Sequence, residues 1–372
     1  MSTGPRPVGG MTRRAVLAAI SPLFLSAQPA SSKGMALPSD WARYPDPSTE
    51  IEVLRLTDPA YESRMPAPPG RAVTANSGQI LYASTRTGQW QAHLLSLRDG
   101  RSRLLTSAAA LQPEALTLTY DDRAILFFDG PSLRLSPLAG LREQEVAQLR
   151  DGFEREAGPI CAPDGLSYYF VEAAAGRSEL RRLRRPSGEA ETIAEGDKGI
   201  LDPAPNPRRA MICWRTREGA LFTSTIDGAG RRRVDTPEGR VLQALWSPDG
   251  QALLYLLQPD APGRLAEIRE QQLDARVDSL VARTSQFAAF SPNANASVFI
   301  GSSRSKVNPS ILILLRITRR ELTLCDHQAT DPSHTAPVFT PNSQRILFQS
   351  DRHGRPALYA MDVERLLEKT GT

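Results

Sequence analysis

Short, continuous apolar runs recur along this chain, each entered through a small polar turn. Ala252-Leu253-Leu254-Tyr255-Leu256-Leu257 follows Trp246-Ser247-Pro248-Asp249-Gly250, and Val298-Phe299-Ile300-Gly301 follows Phe290-Ser291-Pro292-Asn293. Ile346-Leu347-Phe348 follows Phe339-Thr340-Pro341-Asn342-Ser343, and Tyr168-Tyr169-Phe170-Val171 follows Ala162-Pro163-Asp164-Gly165. Weaker copies of the turn stand at Ala75-Asn76-Ser77-Gly78, Thr119-Tyr120-Asp121-Asp122 and Asn206-Pro207-Arg208-Arg209. Taking the residue at the Pro position as anchor gives 76, 120, 163, 207, 248, 292 and 341, in steps of 44, 43, 44, 41, 44 and 49. Between the turns lie alternating segments such as 92–97 and 357–363. A repeat of about 40–50 residues built from a turn, an apolar strand, a polar gap and another strand is a propeller blade. One blade cannot bury both of its faces, so neighbours must stack in a ring. The pattern predicts an all-β, seven-bladed β-propeller.

The chain ends predict how the ring closes. The last unit lacks an outer strand after Val363, whereas Ile51-Glu52-Val53-Leu54-Arg55-Leu56-Thr57 has that form and no unit of its own. Residues 51–57 should complete the last blade and leave no open edge there. The propeller then spans 51–363, with 31–50 as an N-terminal arm and 364–372 as a short helical tail. The rival arrangement is two unrelated β domains.

The 372 residues are 40% hydrophobic, enough for a sizeable core, and 30 Pro with 26 Gly suit many short elements. The net charge of +4 is local in origin. Without Arg6, Arg13 and Arg14 of the first 30 residues, which hold no acid, 42 basic side chains face 41 acidic ones. A near-neutral body gives no general attraction for nucleic acid. Met11-Thr12-Arg13-Arg14 precedes the uncharged stretch 15–27, the order of a secretory signal, and Thr-Arg-Arg-x-Val-Leu resembles a twin-arginine export signal. Periplasmic or secreted localisation is expected, with cleavage between Ala27 and Ser32 and no membrane span after the signal. Cys161, Cys213 and Cys325 are far apart and form no CxxC pair, which excludes a zinc ribbon and points to buried free thiols.

The Ser-Pro-Asp-Gly units and the Ser350-Asp351-Arg352-His353-Gly354 turn resemble TolB-type propeller repeats. A narrower resemblance is to the oligogalacturonate lyase family. It rests on Glu52-Val53-Leu54-Arg55-Leu56-Thr57-Asp58, on Leu81-Tyr82-Ala83-Ser84-Thr85-Arg86-Thr87-Gly88, and on Ser333-His334-Thr335-Ala336-Pro337-Val338-Phe339-Thr340-Pro341 in the last blade. That resemblance implies a seven-bladed propeller performing β-elimination on pectin-derived oligosaccharides. A divalent metal, manganese in this family, neutralises the uronate carboxylate while a His removes the neighbouring proton. The family's Gln-x-x-His-x-His falls on Asp331-Pro332-Ser333-His334-Thr335-Ala336. It therefore implies His334 and Asp331 as metal ligands, with Ala336 in place of the second His. No His stands around 286–289, where the family supplies another ligand, and the base position is Gln243, whose amide has no useful basicity. A tightly held transition metal is not expected.

Of the four His, His93 lies in strand alternation and His353 in a turn, both structural settings, while His327 follows Cys325-Asp326 in a loop. Arg86 and Arg352 occupy equivalent turns, and Arg181-Arg182-Leu183-Arg184-Arg185 and Arg231-Arg232-Arg233 are basic runs at blade turns. The turn arginines suit a blade-stabilising role and the runs a solvated face, with an acidic-polysaccharide groove as the alternative. No Gly-x-Ser-x-Gly elbow, phosphate loop or His-Glu-x-x-His is present. Two functions stay open. One is an exported carbon–oxygen lyase acting on uronate-containing oligosaccharides. The other is a non-enzymatic propeller, expected to be monomeric, that binds a protein or glycan on its face.

Overall fold

A computed structural model describes residues 1–4, 32–197, 199–284, 287–364 and 366. Residues 1–31 form a unit by themselves, and the rest of the chain forms another, to which all that follows refers. The expected export signal and cleavage point fall outside the described residues, as does the tail beyond Glu364 apart from Leu366.

Seven antiparallel sheets follow one another along this unit. They occupy 63–104, 111–148, 154–197, 201–233, 240–283, 287–326 and 338–362, one per sequence repeat. In the second to sixth blades four strands are laid down in chain order, each paired with the next. The first strands of successive blades adjoin one another, which places them around the central channel. The architecture is a seven-bladed β-propeller.

The apolar runs are continuous because both faces of every blade are covered. In Ala252–Gln258, Leu253, Tyr255 and Leu257 pack toward the fourth blade, while Leu254 and Leu256 pack toward the sixth. The buried residues divide into seven clusters, each shared by two neighbouring blades. One of them joins Ile80 and Tyr82 of the first blade to Leu347 and Leu358 of the seventh, so the ring is closed.

Closure uses the segment the sequence assigns to it. Glu52–Arg55 pairs antiparallel with Ala357–Asp362, matching Leu54 to Ala360 and Arg55 to Tyr359, in the blade that holds Phe348. The preceding residues are more than an arm. Ala36–Leu37 adds a fifth strand to the first blade through Ser102–Leu104, and Ala42–Pro45 adds a fifth to the seventh through Glu52–Arg55. Fifth strands were not legible there because both pieces are short, two and four residues.

The repeated turns also tie blades together. In the fifth blade Asp249 Oδ1 accepts from Ser247 Oγ at 2.5 Å and from the Gln251 amide at 3.0 Å. Turn then meets turn around the ring. The Ala75 amide donates to Asp122 at 2.6 Å, Asn206 Nδ2 to the Gly250 carbonyl at 2.9 Å, and the Ala294 amide to Ser343 Oγ at 3.0 Å. The Asn342 amide donates to Ser77 Oγ at 3.0 Å and completes the link from last blade to first.

Candidate functional site

The channel encloses a cavity of about 530 Å3 walled by the inner strands. Its lining is mostly apolar, including Met65, Val73, Leu242, Phe290 and Val338, with Asp202, Arg215 and Arg71 among its charged groups. All five inner strands from the second to the sixth blade carry a register shift near their start. Pro113, Pro159 and Pro203 lie within three of these irregular stretches, where a missing amide proton does least harm to the ladder. Bulges re-aim side chains, here Glu114, Glu156 and Asp202, which are skipped in the pairing.

Each of these carboxylates meets an arginine. Arg64 of the first blade lies 2.9 Å from Glu114 of the second, and Arg217 of the fourth lies 3.6 Å from Glu156 of the third. Arg215 Nε is 2.5 Å from Asp202 Oδ2 within the fourth blade. Burial raises the Asp202 carboxyl above its usual value, against the opposing pull of the Arg215 charge.

Beside this array lies a depression of about 360 Å3, lined by Arg215, Arg240, Leu242, Ala288, Arg304, Asp331, Pro332 and Ser333. It shares Arg215, Leu242, Ala288 and Ser333 with the channel, so it is the channel's mouth. Arg240 Nη2 donates to the Arg217 carbonyl at 3.0 Å, and Arg304 Nε donates to the Phe287 carbonyl at 3.0 Å. Neither arginine forms an ion pair with a carboxylate among the described residues, although the exposed Glu218 carboxyl is held below its usual range by backbone and Thr216 hydrogen bonds and, after them, by charges that include Arg240. Partial desolvation, with the Arg240 charge, holds the Arg304 guanidinium below its usual range.

Of the family-matched positions Asp331 lines this mouth, Gln243 and Ala336 line the channel, and His334 lines a neighbouring depression with Arg64, Asp331 and Gln349. Asp331 caps a 3-10 turn over Pro332–Thr335, its Oδ1 accepting from the Ser333 amide at 2.9 Å and from Ser333 Oγ at 2.7 Å. His334 Nδ1 is 3.7 Å from Asp331 Oδ2 and the side chain is largely exposed. Gln349 fixes the turn by donating to the His334 carbonyl at 2.6 Å while accepting from the Met65 amide at 2.9 Å. Gln243 is occupied elsewhere. Its Nε2 donates to the Phe290 carbonyl at 3.1 Å and its Oε1 accepts from the Phe290 amide at 2.8 Å, pairing the fifth inner strand to the sixth.

The other candidates are structural. His327 is buried between the Ser303 carbonyl, 3.0 Å from Nε2, and the Ala329 amide, which donates to Nδ1 at 2.9 Å. His353 Nδ1 meets the Tyr359 hydroxyl at 2.7 Å, and His93 is fully buried against Tyr82. Arg86 pairs with Asp40 of the N-terminal segment. Arg352 donates to the Asp326 carbonyl at 2.6 Å and lies 3.8 Å from buried Asp46. Arg181 lies 3.5 Å from Glu172 and from Glu179, Arg182 and Arg184 reach Glu191, and Arg185 binds the Tyr168 hydroxyl. Arg231 lies over the Trp214 and Phe222 rings. Cys161, Cys213 and Cys325 are buried free thiols, and burial raises all three.

Sequence reasoning missed Arg215, Arg240 and Arg304. A signal existed for one of them. Ser302-Ser303-Arg304 ends its strand as Ser84-Thr85-Arg86 and Ser350-Asp351-Arg352 end theirs.

The fold and mouth define a seven-bladed propeller with a charged rim over an apolar channel. Two curated proteins resemble it along their length. They are the oligogalacturonide lyase of Pectobacterium atrosepticum and the oligogalacturonate lyase of Dickeya dadantii, each 22% identical over 89% of this chain and 98% of the relative. A solved oligogalacturonate lyase in complex with manganese superposes with a TM-score of 0.83 at 22% identity, covering 89% of this chain and 98% of its own. The Vibrio parahaemolyticus oligogalacturonate lyase gives 0.82 at 18%, covering 89% and 99%. No family model matches. The chain is thus weakly but over its full length homologous to the oligogalacturonate lyases.

A manganese site is what that homology raises, and the described residues do not fit one built from several His and a Gln. Among them no group of three His, Cys, Asp or Glu is placed to hold an ion. Of the matched ligand positions, Asp331 has one carboxylate oxygen committed to its turn, His334 stands largely exposed beside it, and Ala336 offers no donor side chain.

Proposed function

We propose that this lyase-like propeller binds uronate-containing, pectin-type oligosaccharides at its arginine-lined mouth and holds them without metal-assisted β-elimination. The observation that carries this reading is a mouth whose Arg240 and Arg304 form no ion pair among the described residues, above an apolar channel. Guanidinium groups match carboxylates in charge and geometry, and an apolar wall suits the C–H faces of sugar rings. Elimination needs a base for a weakly acidic carbon-bound proton, and Gln243 offers an amide already tied to backbone. We further propose that the twin-arginine-like segment directs the chain to the periplasm or outside the cell.

Calorimetry with tri-galacturonate, alongside ultraviolet absorbance of the unsaturated product with and without manganese, tests the reading. Binding with no product is expected. A rise in product that disappears in His334→Ala would instead establish β-elimination, the reading favoured by full-length homology. The Asp331–His334 pair leaves an octahedral ion mostly water-coordinated, so metal should be lost on dialysis without chelator. One retained equivalent of manganese or zinc per chain overturns that expectation.

A further inference from the structure

We propose that Arg240 and Arg304 together form a subsite for one carboxylate of the bound saccharide, separate from the Arg215–Asp202 pair beside it. This rests on the reading of the mouth as an acidic-saccharide site. Arg240 opens the fifth inner strand, Arg240–Trp246, and Arg304 directly follows Val298–Ser303 of the sixth blade. The backbone at Arg240 is closely packed. A Cβ on Gly219 would lie 2.5 Å from Arg240 Cγ and 2.8 Å from the Val241 amide, so the turn carrying Gly219 packs directly on this strand.

Each guanidinium is oriented by a carbonyl and not by a carboxylate, through Arg217 O for Arg240 and Phe287 O for Arg304. A carbonyl positions the fork without cancelling its charge, and the remaining N–H donors stay free for a ligand. The neighbouring arginines differ, since Arg215 is matched by Asp202 and Arg217 by Glu156. The acid that also lines the depression, Asp331, is turned to Ser333 and His334. Arg240 and Arg304 therefore face the same depression with neither held in an ion pair, the exposed Glu218 carboxylate acting on Arg240 only through its charge, and Arg304 is held below its usual range first by partial desolvation and then by the Arg240 charge. An anion placed between them offsets that repulsion and gains charge-assisted hydrogen bonds from both.

The test uses the chain from residue 32 and its Arg240→Gln, Arg304→Gln and double variants, each checked for an unchanged thermal midpoint. The probes are tri-galacturonate, its fully methyl-esterified form and inorganic sulfate, followed by calorimetry and by arginine side-chain NMR. Each single variant should weaken tri-galacturonate binding roughly tenfold and the double variant roughly a hundredfold. The esterified ligand should bind weakly to every form. Equal tri-galacturonate affinity in wild type and double variant overturns the subsite and leaves the saccharide reading intact. If no uronide binds but sulfate still shifts the two arginine signals in wild type, the anion subsite stands and the saccharide reading falls. Silence to every anion overturns both.

Discussion

A histidine with neither ring nitrogen hydrogen-bonded among the described residues sits in the core of the first blade. His93 is fully buried, stacks on Tyr82 at 5.2 Å, and burial lowers it from 6.5 to about 3. The unfolded chain protonates this ring first as pH falls, so its contribution to stability is complete above pH 6.5 and declines toward pH 3. At ~1.4 kcal/mol per pH unit, the step from 6.5 to 4.5 removes on the order of 2–3 kcal/mol. His327, lowered by burial, acts in the same direction. Carboxylates held low, such as Asp249 through Ser247 and the Gln251 amide, add the same trend. His93→Leu isolates the histidine, because everything else is common to both chains. Urea unfolding at the two pH values should show the wild type losing that much more than the variant, and parallel losses would sink the assignment. Gln243 allows a second test. Gln243→His introduces the residue type that the family resemblance implies for a base at this position, but no imidazole pairs with both the amide and the carbonyl of Phe290. The variant should lose about 1–3 kcal/mol in urea unfolding and gain no unsaturated product.

At the scale of the strand and turn, two glycines in equivalent turns separate conformation from packing. Gly165 has φ +67° with nothing within 4 Å of a would-be Cβ, and Gly250 has φ +70° with Asn206 Oδ1 at 2.5 Å. Gly165→Ala should cost only the left-handed backbone, about 1–2 kcal/mol. Gly250→Ala should cost clearly more, because it also disturbs the Asn206 contact that pins the fourth blade to the fifth. Equal costs would show that the turn-to-turn contact contributes nothing. These turns, and the apolar runs after them, were legible because a repeated unit with two buried faces leaves a repeated trace in sequence. The inner-strand starts were not. Prolines and skipped acids such as Pro203 and Asp202 read as loop, and only the ring of neighbours makes them a rim. The turn arginines show the same limit. Arg86 and Arg352 are answered by Asp40 and Asp46 of the N-terminal segment. No such answer reaches Arg304 of the sixth blade, so one local pattern gives two structural residues and one free cation among the described residues.

For the whole molecule, closure is the property on which the mouth depends, since its groups come from the fourth, fifth, sixth and seventh blades. Residues 36–55 hold that closure by lacing three blades. They add strands to the first and seventh, and Thr49 Oγ1 donates to the Leu324 carbonyl of the sixth at 2.6 Å. Asp46, fully buried, accepts from the Ser48 amide at 3.0 Å and the Asp326 amide at 3.1 Å. Two truncations distinguish lacing from closure. A chain beginning at Ile51 keeps Glu52–Arg55 and thus four strands in the seventh blade, while losing both fifth strands and the Asp46 contacts. It should fold and melt cooperatively, several degrees below a chain beginning at residue 32. A chain beginning at Asp58 leaves the seventh blade with three strands and exposes the edge of Ala357–Asp362. It also removes Val53 and Leu56 from the two clusters that join the seventh blade to its neighbours. Loss of that edge and of packing on both sides should abolish cooperative melting and tri-galacturonate binding together. Near-ultraviolet circular dichroism on heating reads the first, and calorimetry the second. If the Asp58 chain melts cooperatively within a few degrees of the Ile51 chain, the ring is held by its seven inter-blade clusters alone and the N-terminal strand only decorates it.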